Sequence, residues 1–216
     1  MAEGHSTGLV FDSGDGVSHV IPVYEGMVMN TAVERLNLAG RHVTNYLVRL
    51  LMLRGYAFNS SADFETVRDI KENVCFVSYD VKKDRALANE TTLHDMEYTL
   101  PDNETIRIGR ERFEAAECLF NPFLAGVEDT GIAYLMWKSL EKVEIDCFLP
   151  LIKNIIMTGG TTMFAGLSTR MDSELRKILT DEKYGGDKTR VGKTGMNVHD
   201  PPRRKHSVFN GASFMA

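Results

Sequence analysis

The stretch Val10-Phe11-Asp12-Ser13-Gly14-Asp15-Gly16-Val17 constrains this chain more than any other. An apolar run over residues 8–11 reads as a buried strand. It breaks into two carboxylates interleaved with two glycines before a β-branched run resumes over residues 17–24. The pattern predicts a hairpin whose turn is too glycine-rich to be filled by side chains. Glycine lets the backbone take positive φ and approach a guest closely. The guest that suits such a turn is a phosphate, met by convergent backbone N–H groups. Asp12 and Asp15 would repel it unless a hard cation such as Mg²⁺ lay between them. Taken by itself the stretch reads as an ordinary tight turn, because Asp-Gly is a common hairpin connection.

A second stretch changes that reading. Ile155-Ile156-Met157-Thr158-Gly159-Gly160-Thr161-Thr162-Met163 is another buried strand that breaks into glycines, and a helical pattern follows over residues 167–179. Strand, glycine turn and helix start together offer amides and a positive helix end to an anion. Two such turns, far apart in the chain, predict the two lips of one nucleotide site.

Between the turns the pattern is mainly helical. Leu38, Val43, Leu47, Leu50, Leu51 and Leu53 recur at helical spacing from Leu36 onward, with Gly40 near the start and Gly55 as the stop. A second helix opens at Ser60-Ser61, where Ser60 and Asp63 form a capping box, and carries Phe64, Val67, Ile70 and Val74. Its other face holds Glu65, Arg68, Lys71 and Glu72, which by pattern alone is a solvated face. Residues 27–31 and 75–79 read as strands and residues 80–89 as an exposed polar segment. A hairpin over residues 96–100 and 105–108 turns at Pro101-Asp102-Asn103-Glu104. A short helix over residues 111–119 stops at Asn121-Pro122, and an amphipathic helix over residues 132–143 puts Trp137 in the core. Residues 181–196 read as a surface loop, 197–199 as a short strand and 201–206 as a compact basic turn that packs locally. Residues 1–7 form a loose lead-in. The ending Phe214-Met215-Ala216 is apolar, which is odd for a complete domain.

The net charge of −5 argues against nucleic acid as a partner. Three widely spaced cysteines, Cys75, Cys118 and Cys147, form neither a zinc pattern nor a disulfide framework and suit a reduced, intracellular setting. No secretory leader is visible. The most apolar stretch, residues 47–53, is short and interrupted by Arg49, so no transmembrane span is expected.

The segments VFDSGDGVSHVIPVYEG, RLNLAGRHVTNYL, LRGYAF, FETVRDIKE, MTGGTTMFAG and DPPRRKHSVF resemble consecutive landmarks of the actin family, in family order and over nearly the whole chain. The resemblance implies an α/β, actin-like ATPase fold of which this chain is the large lobe. An inner subdomain, a mixed sheet with flanking helices, would comprise residues 4–38 and 125–206. An outer, mainly helical insertion would comprise residues 39–124, and residues 207–216 would begin the return into the other lobe. The first phosphate loop and the smaller lobe precede Gly4 in the family pattern, and its last helices would follow Ala216.

The resemblance also assigns roles. Asp12 would hold the divalent cation through water, and His19 would help position the attacking water. Gly14, Asp15, Gly16 and Val17 would form a phosphate loop. Gly40, Arg68, Lys71 and Glu72 would face ribose and adenine, which overrides the solvated-face reading of that helix. Gly159, Gly160, Thr161, Met163 and Phe164 would wrap the nucleotide, and Lys205 would flank the adenine. The implied cofactors are ATP or ADP with Mg²⁺, for which Ca²⁺ can substitute. The chemistry would be attack of water on the γ-phosphate, driven by positioning and charge neutralisation. This sequence departs from the family at Asn37, at Phe164 (usually Tyr), at Ala165 (usually Pro), at Arg203 and at Asn210 and Ala212 in the expected last strand. None of these removes a phosphate ligand. Half of the phosphate cage lies outside the chain, so alone it should bind ATP weakly and hydrolyse it negligibly.

Within the family, LRGYAFN, the YTLPD hairpin and DPPRRKH most resemble an actin-related subunit of the complex that nucleates branched actin filaments. Implied partners are that complex's other subunits, including a second actin-related protein, together with actin filaments and acidic activator proteins, in the cytoplasmic actin cytoskeleton. The alternatives are a fragment of conventional actin, against which DPPRRKH and YTLPD weigh, and another actin-like ATPase working by itself, against which the absent first phosphate loop weighs.

Overall fold

The computed structural model describes residues 4–213, which contain one six-stranded mixed sheet and a separate two-stranded hairpin. Strands β1 (Gly8–Ser13) and β2 (Ser18–Tyr24) pair antiparallel, with Asp12 opposite His19 and Ser13 opposite Ser18 at the turn. Leu9, Phe11 and Val20 are fully buried, the period-two inward pattern of a strand. The short β3 (Met27–Val28) and β4 (Glu34–Leu36) both add to β2.

The chain then leaves the sheet for α1 (Gly40–Arg54), α2 (Ser61–Val74), α3 (Val81–Glu90), the hairpin β5 (Met96–Thr99) and β6 (Thr105–Ile108), and α4 (Glu111–Glu117). It returns through α5 (Ile132–Glu141) and α6 (Ile145–Lys153) to β7 (Ile155–Thr158). Then come α7 (Leu167–Ile178), α8 (Lys188–Lys193), β8 (Val198–His199) and α9 (Ser207–Ser213). The sheet runs β3-β2-β1-β7-β8, and β7 lies parallel to both β1 and β8. Helices α5 and α6 pack on β1, β2 and β4, and α7 packs on α5 and β8. The α/β architecture is the expected one.

The parallel pairing of β1 and β7 sets Asp12 beside Thr158. Both strands therefore end at one edge of the sheet, and both glycine turns emerge there, where ligands of open α/β sheets commonly sit.

Several local expectations agree with the structure. Ser60 Oγ accepts from Asp63 N at 3.1 Å while Asp63 Oδ2 accepts from Ser60 N at 2.8 Å. Gly55 ends α1 at φ +106°. Trp137 is buried in the core.

Others are corrected. Leu36 lies in β4 and Leu38 in a buried link, so the first long helix begins at Gly40. Residues 27–31 split into β3 and a 3₁₀ turn over Asn30–Ala32. Residues 75–79 are not a strand: among the described residues Phe76 makes a single isolated bridge, to Ala165. Residues 80–89 fall in helix α3, opened by Asp80, whose carboxylate accepts from the amides of Lys82 and Lys83. Residues 181–196 take in the end of a π-helical turn (Leu179–Lys183) and all of α8, and Val191 and Met196 are buried. Helix α6 was not expected at all. The expected last strand bearing Asn210 and Ala212 is the helix α9. The apolar ending Phe214-Met215-Ala216, and residues 1–3 of the lead-in, lie outside the described residues. Among the described residues no helix is long and apolar enough to cross a membrane.

Candidate functional site

At the edge where β1 and β7 end, a cleft of about 540 Å³ opens between the sheet and the helical insertion. Gly14, Asp15, Gly40, Arg68, Lys71, Glu72, Gly160, Thr161, Met163, Phe164 and Lys205 line it. These come from five separate parts of the chain. The remaining expected residues, Asp12, Gly16, Val17, His19 and Gly159, are not on its wall. They sit in or beside the two turns.

Each turn is fixed by its own chemistry. Gly14 N donates to Val17 O at 3.2 Å, closing the first turn. The Gly14 carbonyl accepts from Gly40 N at 3.1 Å and from Thr161 Oγ1 at 2.6 Å. Gly14, Gly16 and Gly160 each face open space where a Cβ would stand. Gly159 is the opposite case, with φ +94° and a notional Cβ only 2.3 Å from the Ser13 carbonyl and 2.8 Å from Asp12 Oδ1. Only glycine fits there, and its closeness lets the two turns meet. The Asp12 carboxyl therefore lies at their seam. Burial raises its pKa, and His19, its cross-strand partner, opposes that shift.

Asp15 behaves differently from Asp12. Arg41 clamps its carboxylate with Nη2 at 2.7 Å and Nε at 2.9 Å from Oδ2, and Arg41 N donates to the Asp15 carbonyl at 2.8 Å. Asp15 is thus engaged by Arg41, whereas no cationic side chain is bonded to Asp12 among the described residues. Among the described residues no three His, Cys, Asp or Glu side chains gather to hold a metal. Asp12 can supply one ligand, which suits Mg²⁺ that takes its remaining ligands from phosphate and water.

The helix starts are also redistributed. The first two amides of α1 are spent on the Gly14 and Asp15 carbonyls, and a 3₁₀ turn over Gly160–Met163 separates the second glycine turn from α7. The open backbone at this edge is that of the glycines, not of a helix end.

Helix α2 presents Arg68, Lys71 and Glu72 to the cleft. Arg68 is paired with Glu65 at 2.6 Å. Lys71 is buried, and burial lowers its pKa against the opposing pull of Glu72 and Asp15. Asn73, Cys75 and Ala165 also line the cleft and were not expected. The spacing 68, 71, 72, 75 is one helical face and signals Cys75; nothing in the sequence signals Asn73. The Cys75 thiol is pushed up to about 12 by burial, so it is inert wall. Beside Lys205, Arg204 is buried and donates to the carbonyls of Thr162, Asp200 and Pro201. The basic turn is thus partly a structural knot.

The family profile for actin matches residues 1–216. The chain is 47% identical over 215 residues to actin-related protein 2 of Acanthamoeba castellanii, covering 100% of this chain and 55% of that protein. It is likewise 47% identical to actin-related protein 2 of Saccharomyces cerevisiae and 46% identical to that of Caenorhabditis briggsae, with the same coverage. The chain therefore spans about half the length of these curated relatives. The order of its motifs, its mixed sheet with both glycine turns at one edge, and these matches agree: the chain belongs to the actin family.

Proposed function

We propose that this chain is the large lobe of an ATP-binding actin-related subunit of a complex that nucleates branched actin filaments. The observation that carries the nucleotide reading is the convergence of eleven expected residues, from five parts of the chain, on one cleft. The similarity to actin-related protein 2 supports the choice within the family. Residues 4–38 and 125–206 would act as the inner part and residues 39–124 as the outer part of that lobe.

The chain's residues fit a nucleotide and its cation. The open backbone at Gly14, Gly16 and Gly160 leaves room for phosphates to approach the main chain. Lys71 supplies a positive charge from within the wall, and Met163 and Phe164 supply apolar surface. Asp12, a half-buried carboxyl with no cationic side chain bonded to it among the described residues, is suited to hold Mg²⁺ through water. Bound Mg²⁺ would neutralise phosphate charge. His19, opposite Asp12, would orient a water at the seam of the turns and hold its proton on the imidazole.

Partners would be the other subunits of the complex, a second actin-related protein, filaments and acidic activators, in the actin cytoskeleton. Two measurements test the proposal. The first is the mass and stoichiometry of what co-purifies with the protein from its source: a fixed set of subunits including a second actin-related protein is expected, and a lone monomer overturns the complex. The second is calorimetric titration with Mg·ATP: weak but saturable binding is expected, and no heat at millimolar nucleotide overturns the cleft assignment.

A further inference from the structure

Lys71 is the most enclosed cation of the cleft, 7% exposed. Its Nζ donates to the Gly40 carbonyl at 3.2 Å and to Thr44 Oγ1 at 3.1 Å. Thr44 lies one helical turn after Gly40, is 1% exposed, and gives its own hydroxyl proton to the Gly40 carbonyl at 3.0 Å. Gly40, Thr44 and Lys71 thus close a ring of three hydrogen bonds behind the cleft wall. Gly40 takes part through its carbonyl, and the position is tight: a Cβ there would stand 2.7 Å from Thr161 Oγ1 and 3.4 Å from Lys71 Nζ.

Both acceptors are neutral, and among the described residues no carboxylate is in ion-pair contact with Lys71. An ammonium has three N–H donors. Two are spent on this ring, and the third is left at a side chain that lines the cleft. Neutral oxygens fix the ammonium in place without cancelling its charge, which a carboxylate at position 44 would do.

We infer that Thr44 is a positioning residue of the nucleotide site: its hydroxyl holds the Lys71 ammonium charged and seated at the wall of the cleft, where the nucleotide would lie. The inference rests on the nucleotide reading of the cleft. The charged and titratable groups facing Lys71 are Glu72 and Arg68 on α2, Asp15 in the first turn and Cys75 just beyond α2. Burial and the nearby Arg68 favour the neutral amine, while Glu72 and Asp15 favour the ammonium. Removing the hydroxyl takes away one of two acceptors, so Lys71 loses its proton at lower pH and nucleotide binding fails from the alkaline side.

The test compares the wild-type chain with Thr44→Ser, which keeps the hydroxyl, and Thr44→Val, which keeps the shape; Thr44→Ala replaces the valine variant if that does not fold. Carbon-13 at the lysine ε position reports the titration of Lys71, and calorimetry with Mg·ATP reports binding on the same proteins. The serine variant is expected to follow wild type in both readouts. The valine variant is expected to titrate at lower pH and to bind about tenfold more weakly at neutral pH, with the gap widening as pH rises. Unchanged Lys71 titration in the hydroxyl-free variant, with nucleotide still bound normally, overturns the role of Thr44 and leaves the nucleotide reading intact. A shifted titration in a wild type and variant that take up no nucleotide supports Thr44 as the holder of the charge and overturns the nucleotide as its target.

Discussion

Burial draws the proton off Lys71 more readily than off a free lysine. A base with a depressed folded pKa costs stability while it is protonated, and the cost is relieved as pH rises from the folded value toward the ordinary lysine value. Lys71→Met removes the charge and keeps the length. It is expected to raise the melting temperature at neutral pH by about 2–8 °C while abolishing nucleotide binding; a lower melting temperature would show that the bonds to Gly40 and Thr44 outweigh the burial. Asp12 is the acidic counterpart, its pKa raised chiefly by burial. Asp12→Asn is expected to leave thermal stability unchanged or higher and to remove the dependence of nucleotide binding on Mg²⁺, read by titration with and without chelator. These residues were legible to unequal degrees. The two glycine turns could be picked out from their own residues, because strand and glycine stand together in each stretch. Arg68, Lys71 and Glu72 could not, because charged residues on a helix face look the same whether they meet water or a ligand; the family resemblance singled them out. Cys75 could have been reached from the spacing of that face. Thr44 could not, since its role depends on a hydroxyl meeting an amine from another helix.

At the scale of elements, the cap of α2 and the two strand-to-glycine breaks were readable because their causes are local. Ser60→Ala removes the acceptor for the Asp63 amide and is expected to cost about 1 kcal/mol, measured by urea unfolding. Asp63 is held below the usual carboxylate range by the Ser60 amide, then by the Ser60 hydroxyl and the Asn59 amide. Its contribution is therefore present above the ordinary Asp pKa and lost as pH falls through the lower folded value. Gly159→Ala forces a Cβ toward the Ser13 carbonyl at positive φ and is expected to cost about 2–4 kcal/mol, with the same unfolding assay as the check. Elements whose causes are distant were misread. The run Cys75-Phe76-Val77 has strand composition, yet Arg112 occupies its surroundings, donating to the Val74 and His94 carbonyls and stacking over Phe76. Helix α3 buries only Val81 and leans on Arg85, which reaches Glu114 of α4 at 2.9 Å, so its sequence carries no apolar stripe to read.

For the whole molecule, the parallel pairing of β1 with β7 across an intervening insertion does what neither turn can do by itself: it brings them to one edge. The overall α/β class and the two lips were legible because each lip is a continuous motif; the depth of the cleft was not, because α2 enters it from elsewhere in the chain. If the cleft takes nucleotide, Mg·ATP raises the melting temperature in proportion to the logarithm of its concentration once above Kd. A midpoint flat with concentration contradicts that. The lacing of the first turn carries one more consequence. Gly40 and Arg41 give their amide protons to the carbonyls of Gly14 and Asp15, so these two positions, at the very start of α1 where exchange with heavy water is ordinarily fast, become slow whenever the turn stays seated. Their deuterium uptake is then a built-in clock for how often the floor of the cleft lets go of the helical insertion, readable at single-residue resolution without any ligand present.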